Sequence, residues 1–263
     1  MTVMTDLILL DRPEAGIGVL TLNRPEKLNA LSGAMLDAFQ ATLDTVERDP
    51  QIRVLVLTGA GDKAFAAGAD IAGYKGRREK EFMDFQFAGR RLNDRLEAFP
   101  KPTIAAVNGF ALGGGFEIVL CCDLIVASTS ARLGLPEGLL GLSPGGGGTQ
   151  RLLRSLGRHV TAELLLTAWR MKGERAHALG LAAALCEPEK LMETALEKAR
   201  AMLKVAPLAL TEMKRLVRLG ADAALPTALA LEQEVLFRLY CSEDGQEGID
   251  AFLEKRPSQF KGS

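Results

Sequence analysis

The chain has 263 residues, about half of them hydrophobic and a quarter charged, enough for one large domain or a domain with an appendage around a sizeable buried core. Its 32 basic and 33 acidic side chains leave a formal net charge of −1. That balance gives no sign of a general nucleic-acid or membrane-binding surface and leaves room only for a local basic patch.

In chain order, residues 6–10 and 17–23 read as strands separated by the turn-prone Pro13-Glu14-Ala15-Gly16. Ser32 is placed to cap a helix whose apolar stripe is Met35, Leu36, Phe39, Leu43 and Val46, ending near Asp49-Pro50. Val54-Leu55-Val56-Leu57 is too uniformly apolar to face water and reads as a buried strand. A glycine-rich loop at residues 59–62 leads to Phe65-Ala66-Ala67-Gly68-Ala69-Asp70, and a charged amphipathic helix is expected over roughly 79–98. After Pro100 and Pro102 come a short strand at 103–107, a glycine turn, a helix carrying Glu117 and a strand at 124–127. Short apolar strands alternating with helices argue for an α/β architecture. Beyond residue 145 the strand signal fades apart from Leu181–Cys186, and helices are expected over 149–168, 188–204, 207–219, 225–240 and 243–254. The expected division is a core at 1–200 and a helical region at 201–263 that packs on the core or on a neighbouring subunit.

Two glutamates stand beside glycine-rich turns, Glu117 in Gly113-Gly114-Gly115-Phe116-Glu117 and Glu137 in Pro136-Glu137-Gly138. The apolar run between them should be buried, and a carboxylate at each end of it is costly unless it is hydrogen-bonded or has chemistry to do. Two carboxylates brought together from separate turns are what water addition or proton transfer at one carbon centre needs. Glycines 113–115, just ahead of a helix, leave backbone N–H groups free to face a developing negative charge.

Cys121, Cys122, Cys186 and Cys241 have no C-x-x-C spacing and read as reduced thiols, which with the lack of a signal-peptide pattern in Met1–Leu10 makes the cytoplasm the expected compartment. Two histidines, His159 and His177, cannot alone build a His-rich metal centre, and no zinc or calcium spacing is present. Neither glycine cluster continues as a P-loop or a dinucleotide fingerprint, which disfavours ATP and NAD. Arg77, Arg78, Lys80, Arg90, Arg91 and Arg95 concentrate positive charge, yet Glu79, Glu81, Asp84, Asp94 and Glu97 are interleaved with them, the pattern of a solvated helix face.

The segments Asn23–Leu31, Phe65–Asp70, Asn108–Glu117, Pro136–Gly141 and Gly145–Leu152, in that order, resemble the enoyl-CoA hydratase/isomerase (crotonase) superfamily across essentially the whole chain. The resemblance implies a spiral of repeated ββα units, a trimer or hexamer held partly by the C-terminal helices, and an acyl-CoA thioester as substrate. By position it implies an oxyanion hole from the N–H groups of Ala69 and Gly114, and an acid/base pair in Glu117 and Glu137. It implies contacts to CoA near Lys27, Leu28, Ala67, Asp70 and Ile71, with Phe260 and Lys261 approaching the CoA of a neighbouring subunit. No metal or redox cofactor is expected, coenzyme A being part of the substrate.

The resulting expectation is an enoyl-CoA hydratase. An enoyl-CoA isomerase is the nearest alternative, since shifting a double bond needs only one carboxylate. A weakly catalytic scaffold or RNA-binding protein on the same fold is the alternative from another class. Asp70 and Asp123 read as structural hydrogen-bond acceptors, and Tyr74, Phe82, Met83, Phe85 and Phe87 either line the acyl pocket or pack the core.

Overall fold

The computed structural model describes residues 6–74, 76 and 78–263. The expectations resting on residues 1–5 and on Arg77 lie outside the described residues. An antiparallel hairpin of β1 (Ile8–Glu14) and β2 (Gly16–Leu22) opens the chain, followed by α1 (Gly33–Arg48), whose Ser32 cap accepts the Met35 N–H.

One plan then repeats three times: a strand, a three-residue strand and a helix. The units are β3 (Ile52–Gly59), β4 (Ala64–Ala66) and α2 (Glu79–Glu97); β5 (Thr103–Val107), β6 (Phe110–Leu112) and α3 (Gly114–Leu120); and β7 (Leu124–Ser128), β8 (Arg132–Gly134) and α4 (Gly148–Leu166). Next come β9 (Met171–Lys172), α5 (Gly173–Ala178), β10 (Ala184–Cys186) and α6 (Leu191–Leu203). Helices α7 (Pro207–Gly220), α8 (Leu225–Tyr240) and α9 (Glu243–Glu254) complete the chain.

The long strands form one sheet, ordered β1-β2-β3-β5-β7-β10, and the short ones a second, ordered β4-β6-β8-β9. Pairing is parallel from β2 to β10 and from β4 to β8, so each unit advances the chain one strand along both sheets. This is the expected spiral of ββα units.

The larger sheet is buried on both faces. Val54 and Val56 join Ile17, Val19, Ile104 and Ala106 against Leu191, Ala195 and Ala199 of α6. Leu55 and Leu57, alternating with them, face the cluster that holds Phe39, Phe65 and Phe116. Each such large side chain contributes roughly 1.5–3 kcal/mol on burial.

Three differences from the sequence expectation have physical causes. The strands at 64–66, 110–112 and 132–134 carry too few residues to show a period and exist because the smaller sheet pairs them. Helix α4 is interrupted at Gly157, whose φ of 72° and ψ of 175° are not helical. The two-residue β9 had no expected counterpart, being held, like the other short strands, only by its pairing with β8.

The C-terminal helices are tied to the core by polar contacts. Lys214 pairs with Asp123 at 2.8 Å, Thr211 Oγ1 donates to Pro100 O at 2.8 Å, and Arg53 donates to Val205 O at 2.9 Å. Asp123 also accepts from the N–H and hydroxyl of Thr103, the structural role expected of it. No helix among the described residues is long and apolar enough to cross a membrane.

Candidate active site

Glu117 lies in the first turn of α3, directly after the β6 strand, where Gly113 turns the chain with φ +51°. Glu137 lies in the 3-10 turn Pro136–Leu140 that follows β8, the neighbour of β6. The adjacency of those two strands brings together carboxylates that are 20 positions apart in the chain. Both face one cavity of about 350 Å³, which Ala67, Ala69, Ile71 and Gly114 also line.

The two carboxylates sit in different surroundings. Glu117 is 5% exposed, and its Oε1 accepts the N–H groups of Gly146 and Gly148, each at 2.9 Å. Burial pushes its carboxyl above the ordinary value, while those two N–H groups and then the charges of Arg151 and Arg90 pull it back. Glu137 has a buried Oε2 with no partner among the described residues. Burial pushes its carboxyl up to about 7, and the nearby Glu117 charge adds to the rise. One carboxylate is therefore held by two N–H donors, and the other, raised by burial, holds a proton readily near neutrality.

The Ala69 and Gly114 N–H groups are oriented by ordinary backbone geometry. Leu31 N–H bonds Gly68 O at 2.8 Å and Asp70 N–H bonds Leu31 O at 2.9 Å, a parallel bridge that turns the intervening Ala69 N–H to the other side. Gly114 is the first residue of α3, where the N–H has no carbonyl within the helix to meet.

The candidates for CoA contact separate into three groups. Ala67 and Ile71 line the cavity, Ile71 being half exposed. Lys27 and Leu28 form a turn fastened beside it, with the Ala67 N–H bonded to Leu28 O at 3.0 Å. Asn29, wholly buried, pins this turn by donating to Ala60 O and Ala64 O, and Asp70 is engaged by Arg24 at 2.8 Å. Phe260 and Lys261 are not among the cavity residues: Lys261 N–H bonds Asp244 of α9 at 2.6 Å, and Phe260 lies against Gly248.

Of the aromatic stretch on α2 and before it, Tyr74, Phe82 and Phe85 line the cavity, stacked edge to face. Met83 and Phe87 do not, and are 44% and 53% exposed. Within the basic concentration, Arg78 pairs with Glu81 and Arg90 with Asp94, as expected from the interleaved acids, whereas Arg95 reaches Asp44 and Glu47 of α1. Burial pushes the Cys122 thiol up to about 12 and the Cys121 thiol well above its ordinary value, so both are packing residues.

In sequence, Gly145–Gly148 stands out only as part of the family resemblance. In the fold this run is the cradle of Glu117: a Cβ at Gly146 would overlap Oε2, and one at Gly148 would stand 2.9 Å from Cγ. Asn93 Nδ2 and Arg151 Nη1 both donate to Gly146 O, at 3.0 and 2.9 Å. Consecutive glycines ahead of a helix are the signal in the sequence for a close backbone approach.

A family model described as enoyl-CoA hydratase/isomerase matches residues 12–263. The chain is 41% identical over 249 residues to the short-chain-enoyl-CoA hydratase of Clostridium acetobutylicum, covering 95% of each. It is 38% identical over 253 residues to the crotonyl-CoA hydratase of Syntrophomonas wolfei, covering 96% of this chain and 97% of that one. Its backbone is similar to the crystal structure of an enoyl-CoA hydratase from Bacillus anthracis, with a TM-score of 0.95 and 36% identity over 98% of this chain and 100% of that one.

Proposed function

The chain belongs to the enoyl-CoA hydratase/isomerase family, and on that premise we propose that it is an enoyl-CoA hydratase, adding water reversibly and syn across a trans-2-enoyl-CoA to give a 3-hydroxyacyl-CoA. The observation that carries this reading is the pair of unlike carboxylates facing one cavity, Glu117 gripped by two N–H groups and Glu137 with a buried oxygen that has no partner among the described residues.

In the proposed reaction Glu117, as carboxylate, removes a proton from a water whose oxygen attacks C3. Charge moves through the conjugated system to the thioester oxygen, where the Ala69 and Gly114 N–H groups receive it. Donors aimed at a charge that exists only in the transition state favour that state over the neutral substrate. Glu137, protonated, delivers its proton to C2. Glu117 is then protonated and Glu137 ionised, and exchange with solvent after product release restores the pair. Water adds without any change in overall redox level, so this chemistry calls for no redox cofactor. An isomerase carries one proton between two carbons of the substrate and needs a single carboxylate, so the presence of both glutamates supports hydration.

The finer assignments follow the same reading. Lys27, Leu28, Ala67, Asp70 and Ile71 are assigned to the CoA side, with Phe260 and Lys261 reaching a neighbouring subunit's CoA in a trimer or hexamer assembled through residues 201–263. The compartment is assigned as the cytoplasm, on the reduced state of the cysteines. The test is hydration of a 2-enoyl-CoA, followed as loss of enone absorbance, by Glu117→Gln and Glu137→Gln. Each variant keeps the side-chain shape and should lose at least ~100-fold in turnover with near-normal CoA binding. Near-normal turnover by either removes that residue from the mechanism.

A further inference from the structure

Resting on the reading of Glu117 as the base, we propose that Arg151 is a positioning residue for it: anchored to α2 by Glu97 and Asp94, it holds Gly146 so that the Gly146 and Gly148 N–H groups stay closed on the Glu117 carboxylate.

The Arg151 side chain is 12% exposed, and four of its N–H donors are used. Nε and Nη2 meet the two oxygens of Glu97 at 3.0 and 2.7 Å, the planar fork that fixes a guanidinium in orientation as well as place. Nη2 also donates to Asp94 at 3.0 Å, and Nη1 donates to Gly146 O at 2.9 Å. Gly146 is thus held at both ends, its carbonyl by Arg151 and Asn93 and its N–H by Glu117. Gly147 has φ +100°, and a Cβ there would overlap Nη1, so the loop is shaped around this guanidinium.

An ordinary helix-to-helix ion pair between α4 and α2 would have no reason to reach the loop that touches the reacting carboxylate. This one ends on it. The charged and titratable groups around Glu117 are Arg90, Asp94 and Glu97 of α2, Glu137 of the 136–140 turn, Cys121 of its own helix, and Arg151. Arg90 and Arg151 balance Asp94 and Glu97 in formal charge, yet it is the positive end of the Arg151 pair that abuts the cradle. Removing that end takes away a favourable charge and loosens two N–H donors together. Both effects make the Glu117 carboxyl harder to ionise.

The test is the pH dependence of kcat for 2-enoyl-CoA hydration in the parent, Arg151→Gln, Arg151→Lys, Glu97→Gln and Glu117→Gln, with KM and the calorimetric affinity for saturated butanoyl-CoA measured alongside. In Arg151→Gln the ascending limb should move to higher pH by roughly one unit, with KM and affinity changed less than about twofold. Arg151→Lys keeps the charge without the fork and should fall between. An unmoved limb, with kcat lowered equally at every pH or with only KM raised, overturns the proposal. If Arg151→Gln does not fold, Glu97→Gln decides: a smaller shift in the same direction supports the proposal, and no shift overturns it. Full hydration by Glu117→Gln would instead overturn the base reading itself, and this proposal with it.

Discussion

Gly146 stands hard against Glu117: its N–H donates to Oε1 at 2.9 Å, while a methyl group on its Cα would overlap Oε2 and come within 2.6 Å of Asn93 Nδ2. Its φ lies outside the left-handed region, so the demand for glycine here comes from the carboxylate and not from the backbone.

The first prediction uses that contact. Gly146→Ala must push the Glu117 carboxylate off its two donors, and a displacement of about 1 Å at a catalytic group costs on the order of 10²-fold in rate. Gly33→Ala, at the start of α1 where nothing lies within 4 Å, is the control and should leave kcat unchanged. Equal kcat for the two variants, both folded by circular dichroism, would contradict the role given to the cradle.

The second prediction concerns pH and stability. The Glu137 carboxyl is raised in the fold from 4.5 to about 7, by burial first and by the Glu117 charge as well. The folded chain therefore holds this proton more tightly than the unfolded chain. The associated stability is present below pH 4.5 and is lost as pH rises toward 7. Glu137→Gln has no such proton to lose. It should gain on the parent between pH 5 and pH 8 by on the order of 1–2 kcal/mol, after discounting for the partial exposure of the group. Urea unfolding at both pH values measures this, and a constant difference between parent and variant would contradict it.

Much of this was legible from residues alone. The uniformly apolar Val54–Leu57, the Ser32 cap and the helix carrying Glu117 were readable because each is decided by local pattern. The likeness of five spaced segments pointed to Glu117 and Glu137 together, and the fold puts both on one cavity. What stayed hidden was decided by distant partners. The three-residue strands exist only through their neighbours in the smaller sheet. Arg151 reads in sequence as an ordinary helix charge, and its reach to Gly146 depends on how α4 meets α2. Met83 and Phe87 share the composition of the pocket aromatics but fall on another face of α2.

The third prediction is quaternary. Phe237, Leu225 and Phe252, on α8 and α9, are 62%, 69% and 82% exposed, and Val217 of α7 is 77% exposed. A run of large apolar side chains across three successive helices is more than a lone chain ordinarily leaves to water. Light scattering at micromolar concentration should give a trimer or a hexamer, and Phe237→Glu with Phe252→Glu should lower the measured mass. A monomeric parent with full activity would contradict the assembly role of residues 201–263.

The measurement that bears most directly on the central claim is the fate of solvent oxygen. In hydration the oxygen at C3 comes from water, whereas in double-bond migration no solvent oxygen enters the product. Incubating a 2-enoyl-CoA such as crotonyl-CoA with the protein in oxygen-18 water should give 3-hydroxyacyl-CoA carrying the label, seen by mass spectrometry. Rapid conversion of a 3-enoyl-CoA to its 2-isomer, with no labelled hydroxy product from the 2-enoyl-CoA, would contradict the hydratase assignment.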